Sequence, residues 1–242
     1  MIGQVCSNNG KKYNIIILAG GAGSRMGEVS DYIPKALSKL GNSRSIDFII
    51  HRYLNVAHKF IIGTGWHADL LTSYLKGNYS RLDIEFSYEK PEDIVNNGIS
   101  TLYCLDHCDS RYPTIILFCD LILLSNFFIN RDNILFLASI NTQGNVGTFR
   151  HLFDKNTNSI LQMTSPVCIT ESNYGLMGNF ILSDTPVLKS CAYSNYSKMN
   201  DLTDDIIIPY SKIINIHGED CEKVFEFGTT EDIEKVRKAW EN

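Results

Sequence analysis

Apolar positions in this chain form short runs of strand length, separated by stretches in which they recur every three or four residues. Residues 14–18 (NIIIL) are a β-branched run with no polar face after Asn14, as expected of a parallel strand covered on both sides. Residues 45–56 follow, with Ile46, Ile49, Ile50, Tyr53 and Leu54 at helical spacing. Residues 59–63 read as a second strand and 67–75 as a helix with Leu70, Leu71 and Tyr74 on one face. Residues 82–88 alternate apolar and polar as a third strand, 99–108 read as a helix after a polar loop, and 113–119 (PTIILFC) form the most apolar strand. The apolar run continues from 114 to 124 as a core strand carrying Asp120. Strand and helix alternate, which predicts a mostly parallel sheet with helices on both faces.

The second half changes character. Residues 134–140 and 176–182 read as strands, and 147–163 as a hairpin turning at 154–158. A helix is expected near 186–191 and a last one over 231–240, with strands at 213–216 and 223–227 closing the sheet. The predicted class is α/β: three layers, α/β/α, around a mixed, mostly parallel sheet. No composition break, long linker or internal repeat divides the chain, so residues 1–242 are expected to form one domain.

The sharpest local signal lies directly after the first strand: Leu18, Ala19, Gly20, Gly21, Ala22, Gly23, Ser24, Arg25, Met26, Gly27. Closely spaced glycines let a backbone bend tightly and turn its N–H groups towards an anion. Ser24 adds a hydroxyl, Arg25 a guanidinium fork suited to phosphate oxygens, and Lys35, behind Pro34, a second cation. The P-loop pattern is absent, since no lysine follows the last glycine. The dinucleotide pattern fails at Met26, where its third glycine should stand, and no acidic residue follows the second strand where a ribose-binding carboxylate belongs.

The run LAGGAGSRM, followed after a short spacer by Pro34-Lys35-Ala36-Leu37, resembles the signature of the sugar-phosphate nucleotidyltransferases. The resemblance implies a Rossmann-like nucleotidyltransferase fold. It is dense at 14–40, clear at 96–120 and 224–233, and thin over 125–200. It implies a nucleotide-binding half over 1–124 and an acceptor-binding half over 125–242. The loop residues 18–25 and Lys35 would hold an NTP, with Arg25, Lys35 and Asp120 as the catalytic residues.

Phosphoryl transfer from an NTP needs charge neutralisation, which Mg²⁺ on carboxylates normally supplies. Asp120 ends the most apolar strand, and ligands gather at the carboxyl ends of parallel strands. The family has its first metal-binding aspartate there. The stretch Val224-Phe225-Glu226-Phe227-Gly228-Thr229 resembles the family's closing motif, with Glu226 in the place of the second metal-binding aspartate. Glu231 and Asp232 read instead as acidic residues opening the last helix.

Asn96-Asn97-Gly98-Ile99-Ser100 resembles a stretch of the choline-phosphate cytidylyltransferase branch. That favours CTP and nominates Asn97 and Ser100 as nucleotide contacts; each also suits a helix cap. On the acceptor side Gly178, Asn179, Asp201 and Asp205 are the candidates, with a cationic head group or a sugar hydroxyl as the acidic residues' partner. The alternative is a solvated acidic helix start. Trp66 reads as either core or pocket wall, and the histidines as surface or packing residues.

The chain carries a formal net charge of −5, which argues against a nucleic-acid partner but not against a small anionic substrate. Its seven cysteines, Cys6, Cys104, Cys108, Cys119, Cys168, Cys191 and Cys221, are scattered and odd in number. They read as reduced, mostly buried thiols of a cytoplasmic protein. Cys104, His107 and Cys108 lack the second ligand pair that a zinc site needs. No stretch reaches the roughly 20 apolar residues of a membrane span, and the polar N-terminus is no signal peptide. Self-association into a homo-oligomer is neither required nor opposed.

The reading that results is a Mg²⁺-dependent transfer of a nucleoside monophosphate, CMP favoured, from an NTP to a small phosphorylated acceptor, with release of pyrophosphate. The acceptor would be phosphocholine-like, a polyol phosphate or a sugar phosphate, and the product of a kind used in cell-surface polysaccharide synthesis. A UTP- or GTP-dependent sugar-1-phosphate enzyme and a non-catalytic nucleotide-binding regulatory domain are the alternatives. A molybdopterin-type guanylyltransferase ranks last, because it expects a lysine closer behind Gly-Ser-Arg-Met-Gly.

Overall fold

A computed structural model describes residues 4–90, 96–123, 127–139, 151–162, 173–221 and 224–241. In chain order the first strands are β1 (Val5–Ser7), β2 (Tyr13–Leu18), the short pair β3 (Lys39–Leu40) and β4 (Ser43–Arg44), β5 (Ala57–Thr64), β6 (Ile84–Tyr88) and β7 (Thr114–Phe118). Next come β8 (Leu121–Leu123), β9 (Phe127–Ile129), β10 (Ile134–Ser139), β11 (His151–Asp154), β12 (Ser159–Gln162) and β13 (Asn173–Leu182). β14 (His217–Asp220) and β15 (Val224–Glu226) complete the strands. The helices are α1 (Ser45–Tyr53), α2 (Ala68–Asn78), α3 (Asn97–Asp106), α4 (Thr185–Ser194), α5 (Ile208–Ser211) and α6 (Thr230–Glu241).

Among the described residues the central sheet has nine strands, ordered β12-β11-β13-β7-β2-β5-β6, with β10 on β13 and β14 on β10. Its heart is parallel: β2 lies between β5 and β7, and β6 extends it beyond β5. β13 runs antiparallel to β7, β10 and β11, which makes the sheet mixed and joins strands of both halves of the chain.

The apolar run of β2 divides between two cores because side chains alternate along a strand. Ile15 and Ile17 share one face with Phe60, Ile62, Ile115 and Leu117, beneath Ile46, Ile49 and Ile50 of α1 and Leu71 and Leu75 of α2. Ile16 and Leu18 share the other with Ile61 and Ile116, beneath Leu102 and Leu105 of α3, Leu188 of α4 and Tyr210 of α5. Burying each such side chain contributes about 1.5–3 kcal/mol, so a polar residue in β2 has to be satisfied. Asn14 is: its amide donates to the carbonyls of Asp109 at 2.9 Å and Tyr112 at 3.0 Å, and its Oδ1 accepts from Asp109 N–H at 3.1 Å.

The three-layer α/β architecture predicted from the alternation is the one observed, with three corrections. The apolar run at 114–124 is not one strand. It breaks after Phe118, and β8 leaves the central sheet to pair with β15. Residues 223–227 therefore do not close the central sheet: Val224–Glu226 pairs antiparallel with Leu121–Leu123, which puts Glu226 opposite Leu121. Residues 213–216 are not a strand either. Ile213 and Ile214 both donate N–H bonds back to Tyr210, ending α5, and Ile213 is 65% exposed. The sheet is extended there by His217–Asp220, parallel to β10. The hairpin turns at 154–158 as expected, while its outer parts at 147–150 and 163 lie outside the described residues, as does Cys168. No described helix is long and apolar enough to cross a membrane.

Candidate active site

At the carboxyl ends of the parallel strands lies a cleft of about 780 Å³. The glycine-rich loop forms one wall: Leu18, Gly20, Gly21, Ala22, Gly23, Ser24 and Arg25 line the cleft, while Ala19 is buried behind it. The start of the loop is tied to β5 and to the turn that follows it, by Ala19 N–H to the Gly63 carbonyl at 2.9 Å and by Trp66 N–H to the Gly20 carbonyl at 2.8 Å. Gly23 sits at φ 65°, a left-handed conformation that glycine adopts without penalty. Its carbonyl accepts the Met26 N–H at 2.8 Å and so starts the helical turn that carries Ser24 and Arg25. Trp66 is outside the lining and 40% exposed.

Lys35 reaches the same cleft from a short helical turn, Lys35–Leu37, set by Pro34. Its ammonium is 2.6 Å from Asp120 Oδ2 and 5.5 Å from the centre of the buried Phe227 ring. Asp120 sits where the chain turns from β7 into β8, and Phe227 N–H donates to its carbonyl at 3.0 Å. That bond and the β8–β15 ladder bring Glu226 to the same mouth, 3.8 Å from Arg25 Nη2. The residues expected to hold metal and phosphates, Asp120, Glu226, Arg25 and Lys35, thus line one cleft. Two carboxylates are oxygen donors of the kind Mg²⁺ takes, so this donor set fits the ion. Burial, with the Asp120 charge adding, pushes the thiol of the neighbouring Cys119 up to about 12, which disfavours its thiolate.

The nucleotide candidates Asn97 and Ser100 also line the cleft, but both make structural bonds. Asn97 accepts from Leu202 N–H at 2.8 Å and donates to Asp201 Oδ2 at 3.3 Å, while Ser100 donates to the Asn96 carbonyl at 2.9 Å. Asn96 is the helix cap, accepting from Ile99 N–H at 3.0 Å. Of the acceptor candidates, Gly178 and Asp201 line the cleft. Asn179 and Asp205 do not. Asn179 is buried and holds the Phe118 N–H at 3.2 Å, while Asp205 Oδ2 caps the N–H groups of Asn200 and Asp201 at 2.7 and 3.0 Å. For Asp205 the alternative of a helix-opening acid describes the geometry. At the last helix, Asp232 caps Gly228 and Thr229 N–H.

Among the lining residues not singled out as site candidates from the sequence are Glu89, Phe118 and His151. Glu89 follows β6, at the same strand end that drew attention to Asp120, so the strand-end rule would have found it. Both its oxygens are closed off from solvent. His151 had no local signal. It is buried, its Nε2 is 2.9 Å from Asp204 Oδ1, and its ligand atom, Asp201's and Asp204's all lie within 4.8 Å of one another. His151 is thus a buried residue as well as one on the cleft lining. Cys104, His107 and Cys108 form no such group among the described residues; burial pushes the Cys108 thiol up to about 12.

Residues 15–132 match the model of the MobA-like NTP transferase domain. No curated protein matches the chain by sequence. Solved structures match over nearly the whole chain. The CTP:phosphocholine cytidylyltransferase from Streptococcus pneumoniae is 19% identical with a TM-score of 0.68, covering 95% of this chain and 99% of its own. The inositol-1-phosphate CTP transferase from T. maritima is 14% identical with a TM-score of 0.70, covering 95% and 98%. A UDP-glucose pyrophosphorylase complexed with UDP-glucose is 14% identical with a TM-score of 0.76, again covering 95% and 98%. At these identities the structures establish the fold. Residues 15–132 thus carry the likeness to the MobA-like NTP transferase domain, and the fold over nearly the whole chain is that of solved nucleotidyltransferase structures.

Proposed function

We propose that this chain transfers a nucleoside monophosphate, CMP favoured, from an NTP to a small phosphorylated acceptor and releases pyrophosphate. The observation that carries the reading is the meeting of the Gly20–Arg25 loop, Lys35, Asp120 and Glu226 in one cleft. A phosphate oxygen of the acceptor attacks the α-phosphorus of the NTP, the bond from that phosphorus to the bridging oxygen breaks, and pyrophosphate leaves with the bond's electrons. No protein nucleophile is needed. The loop, Arg25 and Lys35 hold and orient the triphosphate, and Asp120 and Glu226 would hold Mg²⁺. When bound, the ion neutralises charge that develops on the transferred phosphate and its leaving group.

The acceptor would enter past Gly178, Asp201 and His151. The preference for CTP rests on the likeness of Asn96–Ser100 to the choline-phosphate cytidylyltransferase branch. The names of two structural relatives, which use CTP with phosphocholine or inositol-1-phosphate, agree with it. The test is pyrophosphate release with each of the four NTPs and Mg²⁺, across phosphocholine-like, polyol-phosphate and sugar-1-phosphate acceptors. Turnover with CTP supports the reading and names the acceptor. Turnover with UTP or GTP alone transfers the chain to the sugar-1-phosphate alternative. Tight NTP binding with no release by any acceptor supports the regulatory-domain alternative.

A further inference from the structure

We propose that Lys35 is a placeholder cation: in the nucleotide-free protein its ammonium occupies the face of Asp120 that a divalent ion uses. The metal is then admitted with the nucleotide rather than before it. The inference rests on the reading of Asp120 as a metal ligand. Lys35 Nζ and Asp120 Oδ2 are at contact distance, 2.6 Å, and their side chains are only 10% and 20% exposed, so water screens the pair poorly. The ammonium is backed by the Phe227 ring at 5.5 Å. A second cation on that carboxylate must displace the ammonium or sit beside it, and two like charges at such range repel strongly.

A triphosphate resolves the conflict, because it offers Lys35 another anion and frees Asp120. The charges at the mouth agree with this exchange. Lys35 faces Asp120 and Arg25 faces Glu226, one cation to each carboxylate, while Glu89 and Asp201 are further acids of the lining; the carboxylate under the ammonium is the contested ligand. Once the ammonium turns to phosphate, the two carboxylates are left to receive the metal that the nucleotide carries. Lys35 then serves twice: on Asp120 before binding and on the phosphates after it.

The experiment is Mn²⁺ binding to the nucleotide-free full chain, read from the EPR signal of free Mn²⁺. It compares wild type, Lys35→Met, Asp120→Asn and the double variant, each checked for folding by its thermal melt. Should Lys35→Met not fold, Lys35→Gln replaces it. The placeholder predicts that removing Lys35 tightens Mn²⁺ binding roughly ten-fold or more, the scale of one lost charge-assisted contact. The gain should persist at 1 M KCl, where the Debye length is about 3 Å. It should disappear when Asp120→Asn is added. Unchanged affinity in Lys35→Met, or a gain that high salt abolishes, overturns the proposal, while weakened binding in Asp120→Asn would leave the metal-site reading standing. A gain in Lys35→Met that survives the addition of Asp120→Asn overturns the metal-site reading itself.

Discussion

The main-chain N–H of Phe227 donates to the carbonyl of Asp120 at 3.0 Å. This one bond ties the end of the chain to the end of the central strand. With the β8–β15 ladder it fixes Glu226 at the cleft beside Asp120, and it sets the Phe227 ring beneath the Lys35 ammonium. Two acidic residues far apart in sequence are brought to one cleft by backbone pairing.

Gly228, the next residue, has the Arg25 guanidinium laid against it. A Cβ at 228 would fall 3.0 Å from Arg25 Cζ and 3.2 Å from Nη1. The guanidinium is the far end of a flexible side chain and can move aside. Gly228→Ala is therefore expected to shift Arg25 at little expense in stability, within about 0.5 kcal/mol. The KM for the NTP should rise several-fold while the urea midpoint stays near wild type. Steady-state kinetics beside equilibrium unfolding reads both.

Gly20 is constrained differently. A Cβ there would meet the buried Glu89 carboxyl carbon at 2.6 Å. Here the obstacle is enclosed, so Gly20→Ala should destabilise by about 1–3 kcal/mol, as overpacking does. Adding Glu89→Ala removes the obstacle. In a double-mutant cycle of unfolding free energies the Gly20→Ala penalty should shrink in the Glu89→Ala background; additive effects would contradict the contact.

The Lys59 ammonium, hydrogen-bonded to Glu85 at 2.5 Å, holds that carboxyl below the ordinary glutamate value of 4.5; partial burial opposes the shift and His107 adds to it. A carboxyl depressed by folding contributes stability that is full above its unfolded value and is lost as the pH falls through its folded value. Wild type should therefore exceed Glu85→Gln by a constant small margin, about 0.5 kcal/mol for a pair this exposed, at pH values above 4.5. The margin should close below it. Urea midpoints across an acid pH series measure this; a margin that grows on acidification would contradict the assignment.

What was legible in the sequence is what local chemistry specifies. The run Ile15–Leu18 must be covered on both faces, and its even and odd residues do serve two cores. The glycine loop, Lys35 and Asp120 were readable because glycine spacing and a charge at the end of an apolar strand are local signals. The failures lie where pairing is decided at long range. His217–Asp220 is polar and looks like a loop, yet it finds an edge on β10; the apolar stretch before it merely ends a helix. Val5–Ser7 pairs with Phe127–Ile129 across half the chain, in segments too short to carry a pattern. Asp205 was open to two readings, acceptor contact or helix-opening acid, and its Oδ2 bonds the Asn200 and Asp201 backbone, since a carboxylate in a tight turn serves either purpose and only its neighbours decide. His151 enters the cleft through the placement of β11 beside the Asp201–Asp204 turn, which no local signal announces.

The most direct test of the central claim compares pyrophosphate release by wild type and Asp120→Asn, with Mg²⁺ and the best nucleotide and acceptor pair, beside NTP binding measured separately. The account predicts Mg²⁺- and acceptor-dependent release by wild type and a loss of about 100-fold or more in Asp120→Asn, with the thermal melt preserved. Near-normal turnover in Asp120→Asn would contradict the assignment of this cleft as the transfer site.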